Sequence, residues 1–228
     1  MPPREKTDWL LMRQLFTAVA PRYDLVTRLF SFGMDRRWKT IGVAGASLPA
    51  NSLALDLACG TGDFSRLVRR NGITRVVALD LTERMLRLAK ADGAAEAVCG
   101  DAACLPFAGA TFDCVLVGYG LRNFPHLQQT LAEIQRVTKP GGLLVSLDFF
   151  LPENRIFRPV YLAYLFVQGA FWGLLLHGKP RTYTYIWDSL RSFLSIGEFS
   201  TLLRRAGYRD VRSRGFVGGG IAVHWARR

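Results

Sequence analysis

The chain is expected to fold as an α/β protein with a doubly wound, mostly parallel seven-stranded sheet, N-terminal helices in front and a helical lid inserted after the fifth strand. Three observations predict this. Leu53 to Ala58 is an apolar run, broken only by Asp56, that opens directly into Gly60-Thr61-Gly62 and a helical stretch from Phe64 to Arg70. Between Ser52 and Phe149, strand-like and helix-like stretches alternate at the spacing of βαβ units. A helical pattern at Ile196 to Ala206 then precedes two strand-like pieces, Val211 to Phe216 and Ile221 to Trp225, joined through glycines. Such an ending fits antiparallel edge strands finishing a parallel sheet.

Taken in order, Trp9 to Ala20 carries Leu10, Leu11, Leu15, Phe16 and Val19 at near-helical spacing, and Pro21 stops it. A second helical pattern runs through Leu25, Val26, Leu29 and Phe30, breaks at Ser31-Phe32-Gly33 and resumes from Met34 to Ile41. Helices placed before the first strand cap the open edge of such a sheet and can wall off a substrate. The second strand, Val76 to Leu79, ends in Asp80, and Thr82 is a fair N-cap for a helix over Glu83 to Ala91. Ala97 to Cys99 is a short third strand leaving through Gly100-Asp101-Ala102, and Phe112 to Val117 is the fourth, opening at Gly118-Tyr119-Gly120. A helix over Leu127 to Val137 is expected to end at Lys139-Pro140-Gly141-Gly142, before a fifth strand from Leu143 to Leu147. Val160 to Leu176 holds no charged residue and is rich in bulky apolar groups, yet Gln168, Gly169 and Gly173 interrupt it. It reads as one or two helices over the active site, facing lipid, a greasy substrate or the protein interior, and not as a membrane span. Thr182 to Leu194 is a further helix. The whole chain, 1–228, is read as one domain, with 1–48 as the cap and 151–194 as the lid and substrate region.

Composition bounds the function. With 228 residues, half of them apolar, the chain can bury one good core. Its N-terminus lacks the pattern of a secretory signal, so a cytoplasmic location is expected. Cys59, Cys99, Cys104 and Cys114 form no CxxC pair, which argues for reduced thiols rather than metal or redox chemistry. A formal charge of +12 predicts attraction to a polyanion, nucleic acid or an anionic membrane surface. The excess is uneven: from Thr201 onward there are seven arginines against Asp210 alone, and between Asn154 and Asp188 four basic residues meet no acid. For any single arginine a solvated basic face is explanation enough.

Two glycines let the main chain pass close beneath a ligand. A dinucleotide site would want a third glycine and bare N–H groups facing a pyrophosphate, but the third position is missing and the acids Asp56 and Asp63 flank the turn. Those carboxylates repel a phosphate and attract a cation. S-adenosylmethionine brings an ammonium and a sulfonium and no phosphate, so Coulomb attraction favours it. Asp80, about 20 residues past the turn, stands where doubly wound folds place the acid that accepts ribose hydroxyls. Asp101 closes a third strand. The stretch Leu53 to Asp63 resembles motif I of class I S-adenosylmethionine-dependent methyltransferases, which implies a Rossmann-like sheet.

Further pieces fall in one order along nearly the whole chain: Phe16-x-x-Val19-Ala20-x-x-Tyr23-Asp24, Ser31-Phe32-Gly33 with Trp38-Lys39, Asp56-Leu57-Ala58-x-Gly60-Thr61-Gly62-Asp63, Leu105-Pro106-Phe107, Phe112-Asp113, Gly120-Leu121-Arg122-Asn123, Lys139-Pro140-Gly141-Gly142, and Tyr183-x-Tyr185 with Ser189. Together they resemble the menaquinone and ubiquinone biosynthesis C-methyltransferases. The resemblance implies methyl transfer from S-adenosylmethionine to a ring carbon of a polyprenyl hydroquinone, demethylmenaquinol or the ubiquinone-pathway benzoquinol, without a metal. It implies that Thr61, Asp80, Asp101 and Ala102 contact the cofactor, beside Asp56, Gly60 and Gly62 of the turn. Gly118 stands where the family often has serine, so a hydroxyl contact is absent there. The Val160 to Leu176 segment is more apolar than the family pattern, and Phe193-Leu194 replaces a usual proline.

Carbon methylation needs an electron-rich carbon, and a hydroquinone gains one when a phenol loses its proton. With a phenol pKa of about 10, a neutral-pH site must favour the phenolate by roughly 4 kcal/mol. Arg122, after the fourth strand, is the expected stabiliser of that oxyanion, with water taking the proton, because an arginine cannot act as the base. Tyr23 is expected to orient the ring hydroxyl or the water, and Asn123 to hold the loop. His126, His177 and His224 fit no catalytic pattern. Basic patches beside apolar helices point to peripheral contact with the inner face of the cell membrane, where a prenylated substrate dissolves. RNA methylation would use the same positive charge, but no RNA-binding module is visible and the apolar segment would have no purpose. A non-catalytic cofactor-binding scaffold is disfavoured by the intact acids and the Gly-Leu-Arg-Asn turn. A homodimer is compatible with this sequence.

Overall fold

Continuous apolar runs bounded by glycines and acids become strands buried on both faces, as a parallel sheet requires. The computed structural model describes residues 6–73, 75–91 and 96–228; residues 1–5 of the expected cap lie outside the described residues. Strands β1 (Leu53–Leu57), β2 (Arg75–Asp80), β3 (Glu96–Cys99), β4 (Phe112–Gly118), β5 (Thr138–Phe149), β6 (Arg209–Phe216) and β7 (Ile221–Arg227) form one sheet in the order β3-β2-β1-β4-β5-β7-β6. The first five are mutually parallel, whereas β7 runs antiparallel to both β5 and β6. The closing hairpin therefore places only β6 at the edge. β7 inserts beside β5 and is buried from Ile221 to Ala226, as its apolar sequence demands.

The helices are α1 (Lys6–Val19), α2 (Tyr23–Phe30), α3 (Asp35–Ala46), α4 (Asp63–Arg70), α5 (Glu83–Ala91), α6 (Leu127–Val137), α7 (Phe157–His177), α8 (Arg181–Leu190) and α9 (Ile196–Arg205). Alternation along each strand divides the core. Ala54, Val76, Leu116, Val145 and Val223 face Val43 of α3 and Phe64 and Val68 of α4, while Leu55, Val77, Val115, Leu144 and Ala222 face Leu131 and Ile134 of α6 and Phe199 and Leu203 of α9. A capping box fixes the start of α9, with Ser195 Oγ accepting from Glu198 N and Ser195 N donating to the Glu198 carboxylate. Strand order reverses between β1 and β4. At such a switch point the carboxyl ends of the strands open a crevice, and the glycine turn lies there.

Two local expectations need correction. Lys139 to Gly142 does follow the end of α6 at Val137, but it is not a connection before a strand from Leu143: β5 already runs from Thr138, bulging opposite Asp113. The bulge is held because Gly141 N donates to Arg228 O, Arg228 N donates to Gly142 O, and Lys139 Nζ pairs with the Asp113 carboxylate at 2.8 Å. Gly169 and Gly173 do not interrupt α7, which is a single helix of 21 residues. They are where α8 touches it. A Cβ on Gly169 would stand 2.9 Å from Tyr183 O and one on Gly173 2.6 Å from Pro180 O, so only glycine lets the two backbones meet.

Candidate active site

After Leu57 the chain passes through Ala58 (φ 53°), Gly60 (φ 54°) and Gly62 (φ 84°). Left-handed backbone here favours glycine, and the second of the pair also serves packing, since a Cβ on Gly62 would meet Ala89 of α5 at 3.2 Å. A Cβ on Gly60 would reach the Tyr23 ring at 3.5 Å. Tyr23, the first residue of α2, thus lies over the turn.

Two adjoining chambers open beside it. The first is walled by Gly60, Asp80, Thr82, Met85, Gly118 and Tyr119 beneath Met12, Phe16 and Tyr23. The second is walled by Gly100, Asp101 and Ala102 between Leu81 and Phe124. Among the described residues their linings contain two carboxylates, Asp80 and Asp101, and no lysine or arginine. A phosphate there would face uncompensated negative charge; a sulfonium or ammonium would be drawn in. Asp80 Oδ2 accepts from Gly60 N and Oδ1 from Thr82 N and Oγ1, each at 2.9 Å. Burial raises its pKa and these donors oppose the rise. Oδ2 keeps a lone pair for a ribose hydroxyl. Asp101 accepts from Ala103 N at 2.9 Å, and beside it the backbone of Ala102 and the apolar faces of Leu81 and Phe124 form a slot suited to a flat base. The residues present fit S-adenosylmethionine.

The remaining turn residues serve the scaffold. Asp56 is buried, accepts from Ser65 N at 2.8 Å and Ser65 Oγ at 2.7 Å, and so caps the first turn of α4 from beneath; burial pushes its pKa up to about 7. Asp63 pairs with Lys39 at 2.5 Å and with Arg66. Thr61 Oγ1 donates to Asp24 at 2.5 Å, tying the turn to α2. Gly118 lines the first chamber, and a Cβ there would stand 2.8 Å from the buried Phe64 ring. Phe64 occupies the room a serine would need. The negative charge expected of Asp56 and Asp63 therefore reaches the chambers from Asp80 and Asp101.

Arg122 lies in a short 3₁₀ turn, Leu121–Asn123, directly after β4. Its Nη1 donates to Asp148 Oδ1 at 2.5 Å, its guanidinium stands 4.9 Å from the centre of the Phe149 ring, and its charge acts on the Tyr185 hydroxyl, lowering a pKa that burial raises. Asp148, at the end of β5, also accepts from Phe149 N at 2.8 Å. Tyr23 is within electrostatic reach of Arg122, Tyr185, Asp148 and Asp80, and burial drives its phenol pKa far above the ordinary value. At neutral pH Tyr23 is a hydrogen-bond donor and not a base. Asn123 Nδ2 donates to Tyr119 O at 3.1 Å, and Asn123 borders both chambers. The sequence reading did not single out Asp148. Its signal was present, an acid near the end of the apolar run Leu143 to Phe150, the same mark that drew attention to Asp80.

A cleft of about 1190 Å³ lies on the other side of this 3₁₀ turn, between the start of α6 and the α8–α9 junction, with Arg122 and Ser189 in its lining. It contains neither the glycine turn nor Asp80, and Arg122 stands between it and the two chambers that hold them. Among the described residues no cluster of three or more His, Cys, Asp or Glu is placed to hold a metal.

The fold resembles solved methyltransferases. A protein from Thermotoga maritima, described as an S-adenosylmethionine-dependent and possible histamine N-methyltransferase, superposes with a TM-score of 0.67 at 18% identity, covering 95% of this chain and 99% of that one. In sequence, a demethylmenaquinone methyltransferase of Lactiplantibacillus plantarum is 34% identical over 94% of each chain. A ubiquinone/menaquinone biosynthesis C-methyltransferase of Syntrophotalea carbinolica is 36% identical, covering 93% of this chain and 92% of the relative. A mitochondrial 2-methoxy-6-polyprenyl-1,4-benzoquinol methylase of Caenorhabditis elegans is 33% identical, covering 93% and 78%. The sequence signature of one family matches residues 4–228. With carboxylate-lined chambers beside the glycine turn and that match along almost its whole length, the chain belongs to the ubiE/COQ5 methyltransferase family.

Proposed function

We propose that this chain methylates a ring carbon of a polyprenylated hydroquinone, with demethylmenaquinol as first substrate and the ubiquinone-pathway benzoquinol as second, at the inner face of the cell membrane. The observation that carries the reading is the buried Arg122–Asp148 pair, 3% and 0% exposed, standing beside Tyr23 next to the carboxylate-lined chambers. The relatives named for both quinol rings support the substrate class.

S-adenosylmethionine, when bound, supplies an electrophilic methyl group on a sulfonium. Asp80 would hold its ribose, and Asp101 with Ala102 would hold its base. Gly60 and Gly118 leave the passage beside the turn open, and Met12 and Phe16 exclude water from above. Arg122 stabilises the phenolate of the substrate through directed N–H donors. Because Asp148 neutralises its charge, the pair adds a dipole to the chamber and not a net positive charge, which would repel the donor. Tyr23, held protonated, donates a second hydrogen bond to the same oxygen. Water accepts the phenolic proton. The methyl–sulfur bond would break as the ring carbon takes the methyl, leaving a neutral thioether, and the hydrogen displaced from that carbon would pass to water as the ring becomes aromatic again. Holding ring carbon and methyl group in line provides the remaining rate enhancement.

The test is direct. The purified chain is incubated with S-adenosylmethionine and short-tailed demethylmenaquinol or demethylated benzoquinol under reducing conditions, and products are weighed by mass spectrometry. A single added methyl on the naphthoquinol ring is expected. Methylation of neither quinol, with donor binding intact, would overturn the reading.

A further inference from the structure

The outer face of α7 is a built feature that the chemistry leaves unused. Its buried residues, Tyr161, Leu165, Gly169 and Gly173, recur every four positions and look inward. On the opposite side Val160, Val167, Phe171 and Leu174 form an exposed strip of the same pitch, with Val167 63% exposed and Leu175, at the strip's margin, also 63%. Phe32, 74% exposed, stacks on Tyr164 at 6.0 Å and carries the apolar surface onto the loop between α2 and α3. Cations stand around it. Arg155 and Arg158 precede the strip, Lys179 and Arg181 follow it, and Arg28 and Arg36 line a cleft of about 510 Å³ beside Gly33, where five basic residues outnumber the acids Asp24, Asp35 and Asp63.

We infer that this face docks on the anionic surface of a lipid bilayer, with α7 lying along the interface, its outer strip and Phe32 among the acyl chains, and headgroup phosphates against Arg28, Arg36 and the basic ends of the helix. Apolar strip and basic border are the two terms that bind an interfacial helix. The inference deepens the quinol reading and rests on it for purpose, since a prenylated substrate resides in that bilayer. Two other occupants fit less well. By length and composition α7 could cross a membrane, but its inner face is held by backbone contact with α8 and by the Tyr161 hydroxyl, which donates to Gly220 O at 2.8 Å. A second copy packed strip to strip, in either direction, would bring basic helix ends against basic helix ends.

Flotation of the full chain with phosphatidylcholine vesicles, with and without phosphatidylglycerol, tests this. Wild type should float with the anionic vesicles and lose roughly tenfold in affinity on neutral ones. Val167→Asp with Phe171→Asp should lose at least about tenfold on anionic vesicles, and Arg28→Ser with Arg36→Ser should lose the preference for phosphatidylglycerol. Both variants should bind S-adenosylmethionine as wild type does and methylate a short-tailed quinol equally well. A failure of the quinol reading would show as absent methylation with flotation intact, so the two are separable. Hydrogen exchange of wild type on the anionic vesicles needs no substitution: α7 and the 31–34 loop should become protected while α6 and α9 do not. Unchanged flotation of the Asp variant, protection elsewhere, or a wild-type dimer that Phe171→Asp splits would overturn the inference.

Discussion

Replacing Arg122 with methionine strands the Asp148 carboxylate where both side chains are almost wholly buried, 3% and 0% exposed. Breaking such a pair costs about 3–5 kcal/mol of folding stability. Asp148 keeps Phe149 N at 2.8 Å and the Arg122 backbone N at 3.4 Å, so the lower end, about 3 kcal/mol, applies. A stranded carboxylate can also take up a proton. The loss should therefore shrink as pH falls, because protonation removes the uncompensated charge. Asp148→Leu alone strands the guanidinium at a similar cost. The double variant, Arg122→Met with Asp148→Leu, exchanges the pair for apolar volume and should fold within about 1 kcal/mol of wild type. Methyl transfer should stay depressed by roughly 10²–10³, the usual cost of removing an oxyanion donor. Urea unfolding of the four proteins at pH 5.5 and 8, with turnover on a short-tailed quinol, completes the cycle. Additive stability losses would refute the pairing. Near wild-type turnover in the double variant would refute the role given to Arg122.

Three further outcomes are expected. Asp80→Asn should weaken S-adenosylmethionine binding at least about tenfold by calorimetry, since the carboxylate is the acid in the first chamber. Gly118→Ser should lower stability by about 1–3 kcal/mol through the 2.8 Å collision with Phe64, and Phe64→Leu in the same chain should recover much of it in a thermal melt. His224, fully buried between Phe150 and Phe199, has its pKa lowered to about 4. The unfolded chain binds this proton first, so stability is lost as pH falls from about 6.5 to 4, by up to about 3 kcal/mol. Asp56 acts in the opposite sense: with its pKa raised to about 7, its contribution is lost as pH rises from about 4 to 7. His224→Leu should accordingly flatten the acid limb of stability against pH, and Asp56→Asn should steepen it, both measured by denaturant unfolding.

The centre of the sheet was legible because β1, β2 and β4 are nearly continuous apolar runs with a glycine or an acid at or just past their ends. What local pattern could not supply was direction and partner. Asp56 and Asp80 look alike in sequence, yet Asp56 pairs in register with Ala78 and lies beneath α4, whereas Asp80 falls beyond that level, beside the turn. Gly169 and Gly173 read as interruptions since a helix-to-helix contact and a break share the same residue. Arg122 was found from its place after a strand, but its counter-ion lies 26 positions away on β5, a pairing that only the parallel sheet creates. Phe64 against Gly118 is likewise a matter of volume between distant residues.

The glycine contacts between α7 and α8 carry a mechanical consequence. At the two glycines main chain rests on main chain, and Phe166 against Trp187 and His177 against Tyr183 close the rest of the seam, so the two helices move as one stiff plate. Anything that displaces one of them should therefore displace the other, and hydrogen exchange should report a single opening rate across α7 and α8.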